Sequence, residues 1–133
     1  MQYLMLIYTD EKQWENLSAA DRQAVYGEYR TLIGELTARG HYLAGSELQP
    51  TSSATTVRMR DGRRMVTDGP FAETREQLGG YFLVEAENLD VAIDIAAKIP
   101  AGRWGTVEVR PVKEVPGLPG ARELTAELEG RRR

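Results

Sequence analysis

The segment Gln2–Thr9, QYLMLIYT, decides how the chain has to be built. It is short, apolar and aromatic, so it predicts a β-strand, in which successive side chains point to opposite faces. Leu4, Leu6 and Tyr8 fall on one face and Tyr3, Met5 and Ile7 on the other. Neither set is polar. A strand of this kind needs cover on both sides, and one layer of helices supplies only one of the two.

Working outward, Asn16–Gly40 predicts a long helix. Ser18 is its expected N-cap, with Asp21 in a place resembling a capping box. Val25, Tyr29, Leu32, Ile33 and Leu36 form its core-facing stripe, and Gly40 stops it. Gly27 and Gly34 weaken the interior by about 1 kcal/mol each relative to alanine, so tertiary packing must hold the helix. Tyr42–Leu48 predicts a second strand. Ala54–Arg60 and Arg63–Thr67 flank Asp61-Gly62, a strong hairpin signal. Gly79–Ala86 predicts a further strand, apolar on both faces. Asn88–Pro100 predicts a second helix capped by Asn88, with Leu89, Ala92, Ile93 and Ala96 as its stripe. Gly105–Val112 predicts the last strand, with Val107 and Val109 under the helices and Thr106, Glu108 and Arg110 on the far face. Beyond it come a Pro/Gly spacer, Lys113–Gly120, and a tail, Ala121–Arg133, with the pattern of a short helix. We therefore expect a folded domain over residues 1–113 and a spacer and tail over 114–133.

Two strand–helix–strand units with an inserted hairpin predict an α+β, ferredoxin-like split βαβ sandwich. Its helix-free face would carry large apolar residues, an unusual patch for a monomer. The expectation is a homodimer whose sheets pack face to face into a dimeric α+β barrel.

Composition narrows the function. At 133 residues the chain suits one domain. With 17 basic and 20 acidic residues, the net charge of −3 argues against a broad nucleic-acid-binding face. There is no cysteine and one histidine, His41, which excludes thiol chemistry, disulfides and a multi-histidine metal site within one chain. No metal and no cofactor is predicted. The apolar run at the N-terminus is too short to span a bilayer and has no basic flank, so the plain reading is a cytoplasmic protein without a membrane partner.

Candidate site residues cluster in Val66–Ala86, VTDGPFAETREQLGGYFLVEA, and in the last strand. Gly69 and Pro70 shape a sharp turn, with Phe71 expected to anchor it in the core and Asp68 free to cap it. Gly79-Gly80 suggests a close backbone approach. Asp68 and Glu108 are the candidate general bases; Arg110, Glu73, Arg75 and Tyr81 are candidates for contacting a substrate. Glu73, Arg75 and Glu76 also read simply as a solvated loop. His41 lies between a helix stop and a strand, and nothing in its sequence neighbourhood orients it.

The same long motif, together with Gly105–Val112, YLMLIYTDE, LAGSELQP and ATTVRMRDG, resembles the DGPF family within the YCII-related group. Arg75 stands where relatives commonly carry lysine. The resemblance covers about residues 1–113 and implies a ferredoxin-like fold, dimerisation and a cleft near the motif. YCII relatives are associated with a histidine–aspartate pair in small-molecule chemistry, to which neither Asp68 nor His41 corresponds. Three classes of function stay open: a small-molecule enzyme with its site in a polar dimer cleft, a non-catalytic metabolite-binding or regulatory dimerisation module, and purely structural dimerisation.

Overall fold

The computed structural model describes residues 1–120 together with Gly130 and Arg131. The tail helix expected within Ala121–Arg133 therefore lies outside the described residues, those two apart. Strand β1 (Gln2–Thr9) leads into a short helix α1 (Glu11–Glu15) and the long helix α2 (Ala19–Ala38). Strands β2 (Tyr42–Glu47), β3 (Thr55–Arg60), β4 (Arg63–Asp68) and β5 (Gln77–Glu85) follow, then α3 (Leu89–Ala97), a 3₁₀ turn (Pro100–Arg103) and β6 (Thr106–Pro111).

Local signals set the helix ends. The Ser18 side chain accepts from the Asp21 amide at 3.0 Å, and Asn88 accepts from the Val91 amide at 3.0 Å. At the end of α2 the His41 amide donates to the Leu36 carbonyl at 2.8 Å and the Gly40 amide to that of Thr37 at 3.0 Å. This is a Schellman closure, and Gly40 takes the left-handed φ of 76° that it requires. Helix α1, absent from the sequence expectation, exists because Asp10 caps it, accepting from the Lys12 amide at 3.0 Å.

The strands form an open four-stranded antiparallel sheet in the order β2-β5-β1-β6 and a separate two-stranded sheet, β3-β4. The class is α+β, and no closed barrel occurs among the described residues. Tyr3, Met5 and Ile7 of β1 meet Phe82 and Val84 of β5 in the core, beneath Leu32 and Leu36 of α2. Val107 and Val109 pack against that core, as the alternation along β6 predicts.

Two expectations fail, the first of them in part. In α3, Ala92 is buried and Ala96 packs against the core as expected, but Ile95 and Val91 complete the core face, whereas Leu89 and Ile93 are exposed. Apolar residues ring this short helix, and its docking on the sheet selects which of them are covered. Phe71 does not anchor a turn in the core; it is 79% exposed, because no element among the described residues lies over the β4–β5 loop. The hairpin beside it is equally bare, with Val57, Met59 and Val66 all more than half exposed. Its turn follows the sequence: Asp61 and Gly62 both have positive φ, 49° and 74°, the geometry of a type I′ turn.

Candidate functional site

Strand register places the predicted site residues. On the helix-free face, Leu6 of β1 is flanked by Tyr81 of β5 and Glu108 of β6, and Leu4 by Leu83 and Arg110. Tyr81, Glu108 and Arg110 thus share one face, with Leu4, Leu6 and Leu83 half-buried between them. Asp68 is not on this sheet. It ends β4, opposite Thr55 at the base of the hairpin. The turn after it is held by its backbone: the Gly69 amide donates to the Ala54 carbonyl at 2.7 Å, and its carbonyl accepts from the Thr56 hydroxyl at 2.8 Å. Glu73 and Arg75 lie exposed in the loop between β4 and β5.

Glu76 behaves differently from a solvated loop residue. Its Oε1 accepts from the Thr106 hydroxyl at 2.9 Å, which docks the loop onto β6 two residues from Glu108. Its Oε2 is buried and has no hydrogen-bond partner among the described residues. A buried acceptor left unmatched costs about 1–3 kcal/mol. The sequence carries no local sign of the Thr106 contact, which joins residues thirty positions apart.

The glycine pair divides in two. At Gly80 a Cβ would stand 2.8 Å from the Ser46 carbonyl oxygen, so the close approach of β2 demands glycine there. At Gly79 the nearest atom is an ordinary 3.7 Å away. His41 is well oriented, because its Nδ1–H donates to the Glu85 carbonyl at 2.8 Å while its own carbonyl accepts from the Glu85 amide at 2.7 Å. Its ring borders a cavity of about 160 Å³ shared with Glu35, Asp94 and Lys98.

A larger cavity, about 520 Å³, lies on the opposite side of the sheet, between α1, α2, β2 and the 3₁₀ turn. Of the residues singled out in the sequence, Gly79 and Gly80 border it, whereas Asp68, Glu73, Arg75, Tyr81, Glu108 and Arg110 do not. Its walls are aromatic: Trp14 meets Tyr26 edge to face at 5.4 Å, while Tyr29 and Tyr42 both meet Phe82 edge to face, at 6.0 and 5.4 Å. Polar groups are few and fixed. Glu11 accepts from the Thr51 amide at 2.7 Å and from its hydroxyl at 2.8 Å, and Glu47 accepts from the Tyr26 hydroxyl at 2.8 Å.

Burial pushes the phenols of Tyr26 and Tyr42 upward, and the Glu47 carboxylate adds to the effect at Tyr26. Tyr29 is pushed up from 10.0 to about 12, chiefly by burial, with a backbone hydrogen bond at Ala101 opposing the change. A folded-state value above the unfolded one stabilises the protein below the lower value and is lost as pH rises through the higher. The urea midpoint should therefore fall between pH 10 and about 12, and fall less in Tyr29→Phe. An equal fall in the variant would remove burial of Tyr29 as the cause.

Helices on one side of an antiparallel sheet, and a polar set on the other, define a small α+β protein. The chain belongs to the YCII-related domain family, whose model matches residues 1–116. It is similar to an uncharacterized protein of Rhizobium meliloti (strain 1021), 34% identical over 114 residues that cover 84% of this chain and 92% of that one. No helix among the described residues is long and apolar enough to cross a membrane.

Proposed function

We propose that the protein acts on a small molecule in a polar cleft formed when two copies pair through the helix-free faces of their sheets. The strand order β2-β5-β1-β6, with helices between its members, supports a ferredoxin-like reading of each copy. Leu4, Leu6, Tyr8, Tyr81 and Leu83 give the apolar band that a second sheet would cover. The observation that carries the proposal is the charge set beside that band: Glu108 and Arg110 two residues apart on β6, with the Glu76 carboxylate docked on Thr106 of the same strand. Ionised groups between sheets are tolerated only when paired or solvated, so such an interface keeps a wet hollow around them.

In that hollow Glu108 is the general base and Arg110 holds an anionic group of the substrate, with Tyr81 lining the floor. The loop with Asp68, Glu73 and Arg75 rims the opening, and Asp68 is the alternative base. Hydrolysis or isomerisation of a small carboxylate or phosphate suits this set. The test joins a thermal-shift screen of anionic metabolites to product analysis. Glu108→Gln should cut the turnover found by about a hundredfold or more. Arg110→Ala should raise KM, and both variants should remain dimeric by light scattering. A parent protein that is monomeric in dilute solution, or turnover unchanged in both variants, overturns the proposal. Ligands that raise Tm without product would leave the cleft as a binding site alone.

A further inference from the structure

We infer that the aromatic cavity between α2 and the sheet is a binding site for an organic cation, a protonated or quaternary amine carried on a small apolar body. This site shares no residue with the cleft proposed above. About 520 Å³ lies within the usual range for small-molecule pockets. The class of ligand follows from the charges along the wall. Glu11, Glu15 and Glu47 border the cavity, and no lysine, arginine or histidine does.

None of these three carboxylates is in a salt bridge; the ion pairs among the described residues are Met1–Glu85 and Arg103–Glu28. Glu11 and Glu47 are instead held by neutral donors, the amide and hydroxyl of Thr51 and the hydroxyl of Tyr26, which fix the carboxylates without cancelling their charge. Trp14, Tyr26, Tyr29 and Trp104 line the same cavity. Aromatic faces attract cations at about 6 Å or less from the ring centre. The wall already shows this affinity, since the Arg103 guanidinium lies 5.3 Å from the Trp104 ring centroid, outside the cavity and engaged by Glu28. An anion entering here would meet three negative groups and no positive one. A neutral molecule would gain the aromatic contacts and leave the carboxylates unmatched.

The chain has two tryptophans, Trp14 and Trp104, and both line the cavity, so indole emission excited at the red edge reads its occupancy. The full-length protein is titrated with phenethylammonium, 2-phenylethanol and phenylacetate, which share one ring and differ in charge without emitting there themselves. Phenethylammonium should give a saturable change with Kd at least about tenfold below that of the alcohol, and phenylacetate should bind more weakly still. Glu47→Gln keeps an acceptor for Tyr26 and removes one charge; it should reduce the preference for the cation by about threefold or more. Glu11→Gln, which keeps an acceptor for Thr51, should act in the same direction, and a cooperative melt confirms that each variant is folded. The inference is overturned by alcohol or phenylacetate binding as tightly as the amine, by no saturable response to any of the three, or by an undiminished preference in both folded variants.

Discussion

Gly105→Ala is expected to unfold about 3 kcal/mol more readily than the parent in urea or guanidinium titration. A Cβ at this position would stand 2.2 Å from the Tyr8 carbonyl oxygen, 2.8 Å from Thr9 Cγ2 and 3.2 Å from the Ala101 carbonyl oxygen. Two of these three atoms are backbone, one in the central strand and one in the 3₁₀ turn, so no side chain can rotate out of the way. The strain falls immediately before Thr106, which is in register with Tyr8. The Gly105 amide also donates to the Ala101 carbonyl at 2.7 Å, and any shift that relieves the clash disturbs that bond. Gly34→Ala is the control of opposite sign. It lies in the interior of α2 with nothing within 4 Å of the added carbon, so it should gain up to about 1 kcal/mol from helix propensity alone. A Gly105→Ala protein as stable as the parent would mean that the chain does not pass so close to Tyr8.

Met5→Ala is the second large effect, a loss of about 2–5 kcal/mol. Met5 is 0% exposed and belongs, with Ile99 and Val84, to the largest fully buried side chains. It sits mid-strand in β1, opposite Phe82 on one side and Val109 on the other, so the space left by truncation has rigid strand neighbours and collapses poorly. Against a total stability of about 5–15 kcal/mol for a domain, such a loss brings the variant close to unfolding at room temperature. Equilibrium denaturation checks it, and a loss below about 1 kcal/mol would contradict the burial of this face.

How far the sequence alone carries can be judged from particular residues. Ser18, Asn88, Gly40 and Asp61-Gly62 were readable because their partners lie within about five positions, and caps and turns are settled by such short-range bonds. The two-sided oiliness of β1 and the alternation of β6 were readable for the same reason, since period two is local. The faces of α3 were not. Leu89–Ile93 and Val91–Ile95 are both apolar pairs at helical spacing, and only docking on β6 and α2 separates them. Phe71 misled because hydrophobicity predicts burial only where an element exists to do the burying. Of the candidate site residues, Glu108 and Arg110 were grouped by alternation, and register puts them on one face; that Tyr81 joins them depends on the pairing of β5 with β1, which no local pattern shows. The aromatic cavity escaped because it is assembled from five distant segments, and its Glu11–Thr51 contact joins positions forty apart. No window of sequence contains that geometry.

The topology also bears on the order in which the chain comes together. Among the described residues β1 is the first strand in sequence yet occupies an inner position of the sheet, and its two neighbours, β5 and β6, are the last two. Until both have been made, β1 has no strand to pair with and helix α2 has no sheet to lie on. Assembly of this sheet therefore rests on contacts between segments far apart in sequence, the kind that close slowly.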